Sequence, residues 1–230
     1  AITGAIAMIL TGIIMNFYTQ QGAIVSIDFN TIGLLLGMMI LVGILGDSGF
    51  FEYLAYKTAK ASNGSFYRLL ALFMLVTALC SAFLDNVTTI LLMTPITFTI
   101  AKKLEIDPKP FLFSEVMASN IGGTATLIGD PPNIMIGSAA DISFIQFIIY
   151  LSPMIIIILF VVMLYFEIIY EHHLDIEMEK FEHIKEVNPL DKIHDRPLAF
   201  KCLIVFGIVI VLFLTHHLTG LHPWTVAITG

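Results

Sequence analysis

The chain has 230 residues, 57% of them hydrophobic and only 13% charged, and its mean hydropathy is +0.91. A soluble domain carries nearer half apolar and a quarter charged residues, so this composition excludes an ordinary water-soluble protein and points to lipid as the solvent. The net charge of −7 reflects an acidic loop between Glu167 and Asp195, and the lack of a basic footprint excludes a nucleic-acid partner.

In chain order, Ala1–Tyr18, Thr31–Gly46, Phe144–Phe166 and Cys202–Thr215 are uncharged stretches. They reach or approach the ~20 residues that cross a bilayer, so the fold expected is an all-α polytopic membrane protein. The sequence begins within one apolar run and stops as another begins, and it is expected to be an excerpt of a longer chain. Cys80 and Cys202 both lie in apolar segments and read as small buried thiols.

Lys and Arg on short loops mark the cytoplasmic side. They fall in three groups: Lys57, Lys60 and Arg68; Lys102, Lys103 and Lys109; and Lys180, Lys185, Lys192, Arg196 and Lys201. With these inside, Ala1–Tyr18 runs outward and Thr31–Gly46 returns. Asp47–Ala61 becomes an amphipathic interfacial helix with Phe50, Phe51 and Tyr53 at the headgroups, and Asp47 is interfacial. Phe111–Ile136 runs out, Phe144–Phe166 returns and Cys202–Thr215 leaves again.

Leu69–Ala101 breaks this alternation, because basic groups flank both of its ends. The consistent solution is a re-entrant hairpin of two half-helices, Leu69–Leu84 and Thr88–Ala101, with its tip at Leu84–Val87 near mid-membrane. Non-helical backbone at that depth survives only inside protein or beside a wet cavity. The plain alternative is a conventional two-span hairpin with Asp85 in an outer loop.

A second interruption follows. Asn120–Asn133 holds Gly122, Gly123, Gly129, Pro131 and Pro132 among polar residues, a run that cannot remain one helix. The expectation is a helix to about Ser119, an unwound stretch over Gly122–Asp130, and a new half-helix opening at Pro131 with Asp130 at its N-cap. Freed carbonyls at such breaks coordinate cations, and half-helix N-termini hold anionic groups; an ordinary proline kink without a ligand is the alternative. The first transmembrane repeat is assigned to residues 1–170, a charged cytoplasmic connector to 171–199 and the start of a second repeat to 200–230, where Ala227–Gly230 repeats the motif of Ala1–Gly4.

Ser81–Thr89 and Gly122–Asn133, with support from Gly37–Val42 and Gly49–Phe51, closely resemble the arsenite-permease/sodium–proton-antiporter (ArsB/NhaD) family of the ion transporter superfamily, which includes the P protein. The resemblance implies two inverted repeats, each with a re-entrant hairpin and a broken helix, ion-coupled and often elevator-like transport, and a homodimer. In the related dicarboxylate symporters the tip reads Ser-Asn-Thr. Here it reads Asp85-Asn86-Val87, which weakens the dicarboxylate reading and favours a sodium- or proton-linked cycle. The resemblance also implies that carbonyls around Asn120–Thr124 complete an ion site with Ser81.

A charge near the bilayer centre costs about 2.5–3.5 kcal/mol on insertion scales and normally does work, so Asp85 and Asp130 are the leading candidates. Asp85 and Asn86 are a candidate sodium site, and Thr88 and Thr89 supply neutral oxygens nearby. Asp130 either titrates or caps the Pro131 half-helix. Asn133 either faces the same cavity or caps backbone, and Glu115 either snorkels to the headgroups or relays protons. His172, His173, His183 and His194 read as solvated loop residues; His216 and His217 offer no metal-ligand spacing.

The function expected is an ion-coupled secondary transporter in the cytoplasmic membrane, with Na⁺ or H⁺ as coupling ion, no organic cofactor and no enzymatic activity. It would move an inorganic anion, an oxyanion or a small carboxylate, or exchange Na⁺ for H⁺. The alternatives are a sodium-coupled di- or tricarboxylate symporter, a passive channel, and an intramembrane aspartyl protease using Asp85 and Asp130 as a dyad.

Overall fold

The computed structural model describes residues 2–15, 17, 19–25, 27, 29–140, 142–170, 176–219 and 225–227, which form helices and no strand. The short α1 (Ile2–Ile14) and α2 (Gln20–Val25) precede α3 (Phe29–Asp47). The chain then bends by 65° into α4 (Phe50–Ala61). The bend pivots on Gly49, whose φ of 83° lies in the left-handed region; a Cβ there would strike the Lys192 carbonyl.

Next come α5 (Phe66–Ser81), α6 (Asn86–Leu104), α7 (Lys109–Gly123), α8 (Pro131–Ala139) and α9 (Phe144–Ile169). Ser65 caps α5 through the Arg68 amide, and a reciprocal capping box of Ser143 and Gln146 opens α9. After α9 follow α10 (Met178–Glu186), a 3₁₀ turn at Pro189–Lys192, and α11 (Arg196–Thr219).

Asn86–Leu104, Phe144–Ile169 and Arg196–Thr215 are each long and apolar enough to cross a membrane, and the bent α3–α4 pair passes the same test as a unit. Helix α9 leaves Ile149, Ile156, Ile157, Phe160, Val161 and Ile168 exposed. An apolar surface of this extent needs lipid or further protein against it. The chain is a polytopic α-helical membrane protein.

Two apolar clusters hold the helices together. The larger joins α4 through α7, with Phe51, Tyr56, Phe66, Phe73, Met74, Ile100 and Phe111 fully enclosed. Edge-to-face rings run from Phe66 to Phe111 at 5.0 Å and from Phe73 to Phe111 at 6.1 Å. The smaller cluster packs Leu34, Met38 and Leu41 of α3 and Val209 and Phe213 of α11 around Leu127, Ile128 and Ile134.

Several expectations need correction. Phe51 is buried in the larger cluster instead of lying at headgroups, because the 65° bend folds α4 back against α5 and α6. Helix α6 starts at Asn86 and has 19 residues, about 28 Å at 1.5 Å per residue; it is longer than the half-helix expected. Helix α7 continues to Gly123, four residues past the expected stop, because glycine still forms helical hydrogen bonds until the chain unwinds.

The connector packs on this core. It has no core of its own, yet Ile176, Phe181 and Ile184 are buried against the larger cluster. Lys180 bridges Glu105 at 2.7 Å and Glu177 at 3.0 Å. His194 donates its amide to the Ser48 carbonyl at 2.9 Å, and the Lys192 ammonium sits 4.9 Å from the Tyr56 ring. His172 and His173 lie outside the described residues, as do Ala1, Ile228, Thr229 and Gly230 of the repeated motif.

Candidate functional site

Helix α9 supplies a ruler for depth. Ser152, nine residues into this 26-residue helix, donates its hydroxyl to the Ala125 carbonyl at 3.0 Å. The non-helical stretch between α7 and α8 is therefore docked roughly 12 Å from one end of a helix about 39 Å long. With α9 centred on a hydrocarbon core of ~30 Å, the break would fall inside that core, where backbone must be satisfied by the protein itself.

The break does so with its own polar side chains. Asn133, one turn into α8, reaches back and donates to the Gly123 carbonyl at 3.1 Å and the Thr126 carbonyl at 2.9 Å. The Thr126 hydroxyl donates to the Ala82 carbonyl at the hairpin tip and accepts from the Gly129 amide at 3.2 Å. Thr124 donates to the Asn120 carbonyl at 2.8 Å. Asp130 takes the extended N-cap conformation before Pro131, but its carboxylate makes no capping hydrogen bond. Proline at N1 and N2 leaves fewer amides for it to accept from, so the side-chain capping role is not realised and the carboxylate is free for other partners.

The hairpin tip turns at Ala82–Asp85 between α5 and α6. Asp85 N-caps α6 by accepting from the Thr88 amide at 2.8 Å. The tip is fastened to α7 by serine and asparagine. Ser81 donates to the Ser119 carbonyl at 2.7 Å, and its hydroxyl lies 3.2 Å from the Ser119 hydroxyl. Ser119 donates to the Asn86 carbonyl at 3.0 Å. The Asn86 amide group donates to Asn120 Oδ1 at 3.2 Å, and Asn120 donates to the Val116 carbonyl at 2.8 Å.

Close approach of the two breaks requires glycine. A Cβ on Gly122 would strike the Ala78 carbonyl, and one on Gly129 would strike the Gly123 carbonyl and stand 2.6 Å from the Ser81 carbonyl oxygen. Four helix ends thus converge: the C-termini of α5 and α7 and the N-termini of α6 and α8. Partial negative and positive charges meet in one place.

Asp85 and Asp130 are both half-buried here and close enough for their charges to interact. Of the residues expected at the site, Ser81, Asn86, Asn120, Gly122, Gly123, Gly129 and Asn133 join in direct contacts, and Pro131 and Pro132 open α8. Thr88 contributes its amide to Asp85, and the Thr89 hydroxyl is buried with no partner. Among the described residues no group of three His, Cys, Asp or Glu side chains could hold a metal ion.

Glu115 does not snorkel. It is buried, and the Thr97 hydroxyl donates to its Oε1 at 2.7 Å. The roles of Ser119, Thr126 and Ser152 went unread in the sequence. A lone Ser in the apolar run of α9, and Ser119 one helical turn beyond Glu115, were the available signals. Apart from the tip, a cavity of about 290 Å³ lies among α4, α6 and the 3₁₀ turn, lined by residues that include Glu52, Tyr56, Pro95 and Lys192.

Over residues 1–230 the sequence matches the citrate transporter (CitMHS) family model. The chain belongs to the CitMHS family. It is 44% identical over 234 residues to a "46 kDa membrane protein" of Mycobacterium leprae, covering all of this chain and 54% of that protein. An "Uncharacterized transporter" of Mycobacterium tuberculosis is 39% identical over 233 residues, covering all of this chain and 53% of that protein. The human P protein is 49% identical over 116 residues, half of this chain and 14% of that protein. The chain spans about half the length of the full-coverage relatives. The P-protein match agrees with the ion-transporter-superfamily resemblance of the motifs.

Proposed function

We infer that this chain belongs to an ion-coupled secondary transporter. It moves an inorganic anion, an oxyanion or a small carboxylate, or exchanges Na⁺ for H⁺, by alternating access, in a homodimer with its basic loops in the cytoplasm. The observation that carries the reading is the interlock of the Ser81–Asn86 tip with the Ser119–Asn133 break beside two carboxylates. The chemistry of that place suits small ions. Asn86 Oδ1 is left unused by the bond to Asn120, Asp130 has no capping partner, and the α6 and α8 N-termini supply positive ends for an anionic group.

A sodium-coupled di- or tricarboxylate symporter is the second reading, supported by the citrate specificity in the family's description. The Asp85 carboxylate at the tip weighs toward sodium or proton handling. Both are tested with the full-length protein in vesicles under imposed Na⁺ and pH gradients, offered arsenite, citrate, succinate and chloride in parallel. Uphill flux of one of them, or Na⁺/H⁺ exchange, reduced at least tenfold by Asp85→Asn and by Asp130→Asn, is expected. Wild-type rates in both variants would sink the assignment of these carboxylates.

A further inference from the structure

Among the described residues, three buried side-chain oxygens have no hydrogen-bond partner: Thr77 Oγ1, Thr89 Oγ1 and Glu115 Oε2. Buried polar atoms are nearly always paired, and exceptions ask for a cause. Each lies within about one helical turn of a residue that fastens the tip. Thr77 lies one turn before Ser81 on α5, Glu115 lies one turn before Ser119 on α7, and Thr89 follows Asn86 by three residues on α6. Residues three or four apart share a helix face, and Ser81, Ser119 and Asn86 are bonded to one another. The orphaned oxygens therefore continue the faces that form the tip lock, about 6 Å farther along α5 and α7 and about 4.5 Å along α6.

Glu115 stands out among them. Its relative exposure is 1%, and among the described residues the one hydrogen bond to its side chain comes from Thr97. An ionised carboxylate in such a place normally has a cation or several donors. The helices packed on α7 are α5, α6 and α9. Their ionisable side chains are Tyr67, Arg68 and Cys80; Lys102, Lys103 and the capping Asp85; and Tyr150, Tyr165 and Glu167. Arg68, Lys102, Lys103, Tyr150, Tyr165 and Glu167 are exposed. No Lys, Arg or His among the described residues forms an ion pair with Glu115. The single hydroxyl donor and the absence of a countercharge suit a carboxyl that carries a proton as its only counterion.

We propose that Glu115 is a proton-binding site within the hairpin–α7 seam, distinct from the Asp85–Asp130 pair. Its carboxyl takes up one proton to become a neutral acid while Oε1 keeps the Thr97 hydrogen bond, and gives the same proton back when it returns to the carboxylate. The proposal rests on the transport reading for the use made of the proton, and not for the existence of the site.

The test is infrared difference spectroscopy of the full-length protein in lipid, stepped across pH. A carbonyl band of a protonated carboxylic acid should rise and fall with pH and vanish in Glu115→Gln, which keeps an acceptor for Thr97 but cannot titrate. Thr97→Val, which removes the hydrogen bond and not the acid, should move the frequency of that band. If Glu115→Gln fails to fold, the Thr97→Val shift decides alone. A spectrum in which neither variant alters any titrating band overturns the proposal. So does a band that responds to Na⁺ at fixed pH and not to pH, which would mark a cation site instead. Vesicle flux is measured on the same preparation. A Glu115 band without any driven flux leaves the proton site standing and defeats the transporter reading; driven flux without a Glu115 band does the reverse.

Discussion

Asn133 closes the break by donating both amide hydrogens to carbonyls that no helix serves, those of Gly123 and Thr126. Removing it leaves two buried acceptors unpaired, each costing about 1–3 kcal/mol. Asn133→Ala is therefore expected to lower unfolding stability by about 2 kcal/mol or more, and Asn133→Asp to behave no better, because a carboxylate cannot donate. Denaturation of the protein in detergent checks both, and an Asn133→Asp variant as stable as wild type would contradict the donor geometry. Gly122 makes a complementary case. Gly122→Ala pushes a methyl into the Ala78 carbonyl and is expected to cost about 1–3 kcal/mol through overpacking, measured the same way. Substitution at the nearby exposed Phe113 should leave stability almost unchanged.

At the scale of elements, the connector is bound to the hairpin base. Phe181 and Ile184 enter the larger core, and Glu105 and Glu177 hold Lys180 from either side. The hydrogen bonds that its ammonium donates to those two carboxylates raise the Lys180 pKa above its ordinary value. A group raised on folding contributes stability that is complete below its unfolded pKa and is lost as pH climbs through the folded one. Docking of α10 should thus persist through neutral pH and loosen only in alkaline solution. Phe181→Ala should release it at every pH, with a local cost of about 3–5 kcal/mol. Tryptic cleavage within residues 176–199 reports both effects. An unchanged cleavage rate in Phe181→Ala would mean that the connector is not held by this contact.

At the scale of the molecule, the tip and the break stabilise each other at a level fixed by α9. Asn86→Cys in a background lacking Cys80 and Cys202 is expected to react at least tenfold more slowly with a membrane-impermeant maleimide than a cysteine placed at the exposed Glu182 in opened vesicles. Equal rates would put the tip in bulk water. The chain spans about half the length of its full-coverage relatives, and Asn120 and Val87 are exposed on the open side of the tip.

Composition, the basic-residue pattern and the glycine–proline run by themselves determined the lipid setting, the two interruptions and the residues that line them. Each of those signals is local: hydropathy and helix-breaking act within a few residues, and Pro131–Pro132 stops a helix whatever surrounds it. The tertiary structure alone decided what depends on partners distant in sequence. Ser81 and Ser119 are 38 residues apart, and Thr97 and Glu115 are 18 apart. The connector's few apolar residues are buried only because distant elements of the chain offer them a face. The side chain of Glu115 looked free to snorkel until α6 covered it, because burial is a property of the packed helices and not of the helix that carries the residue.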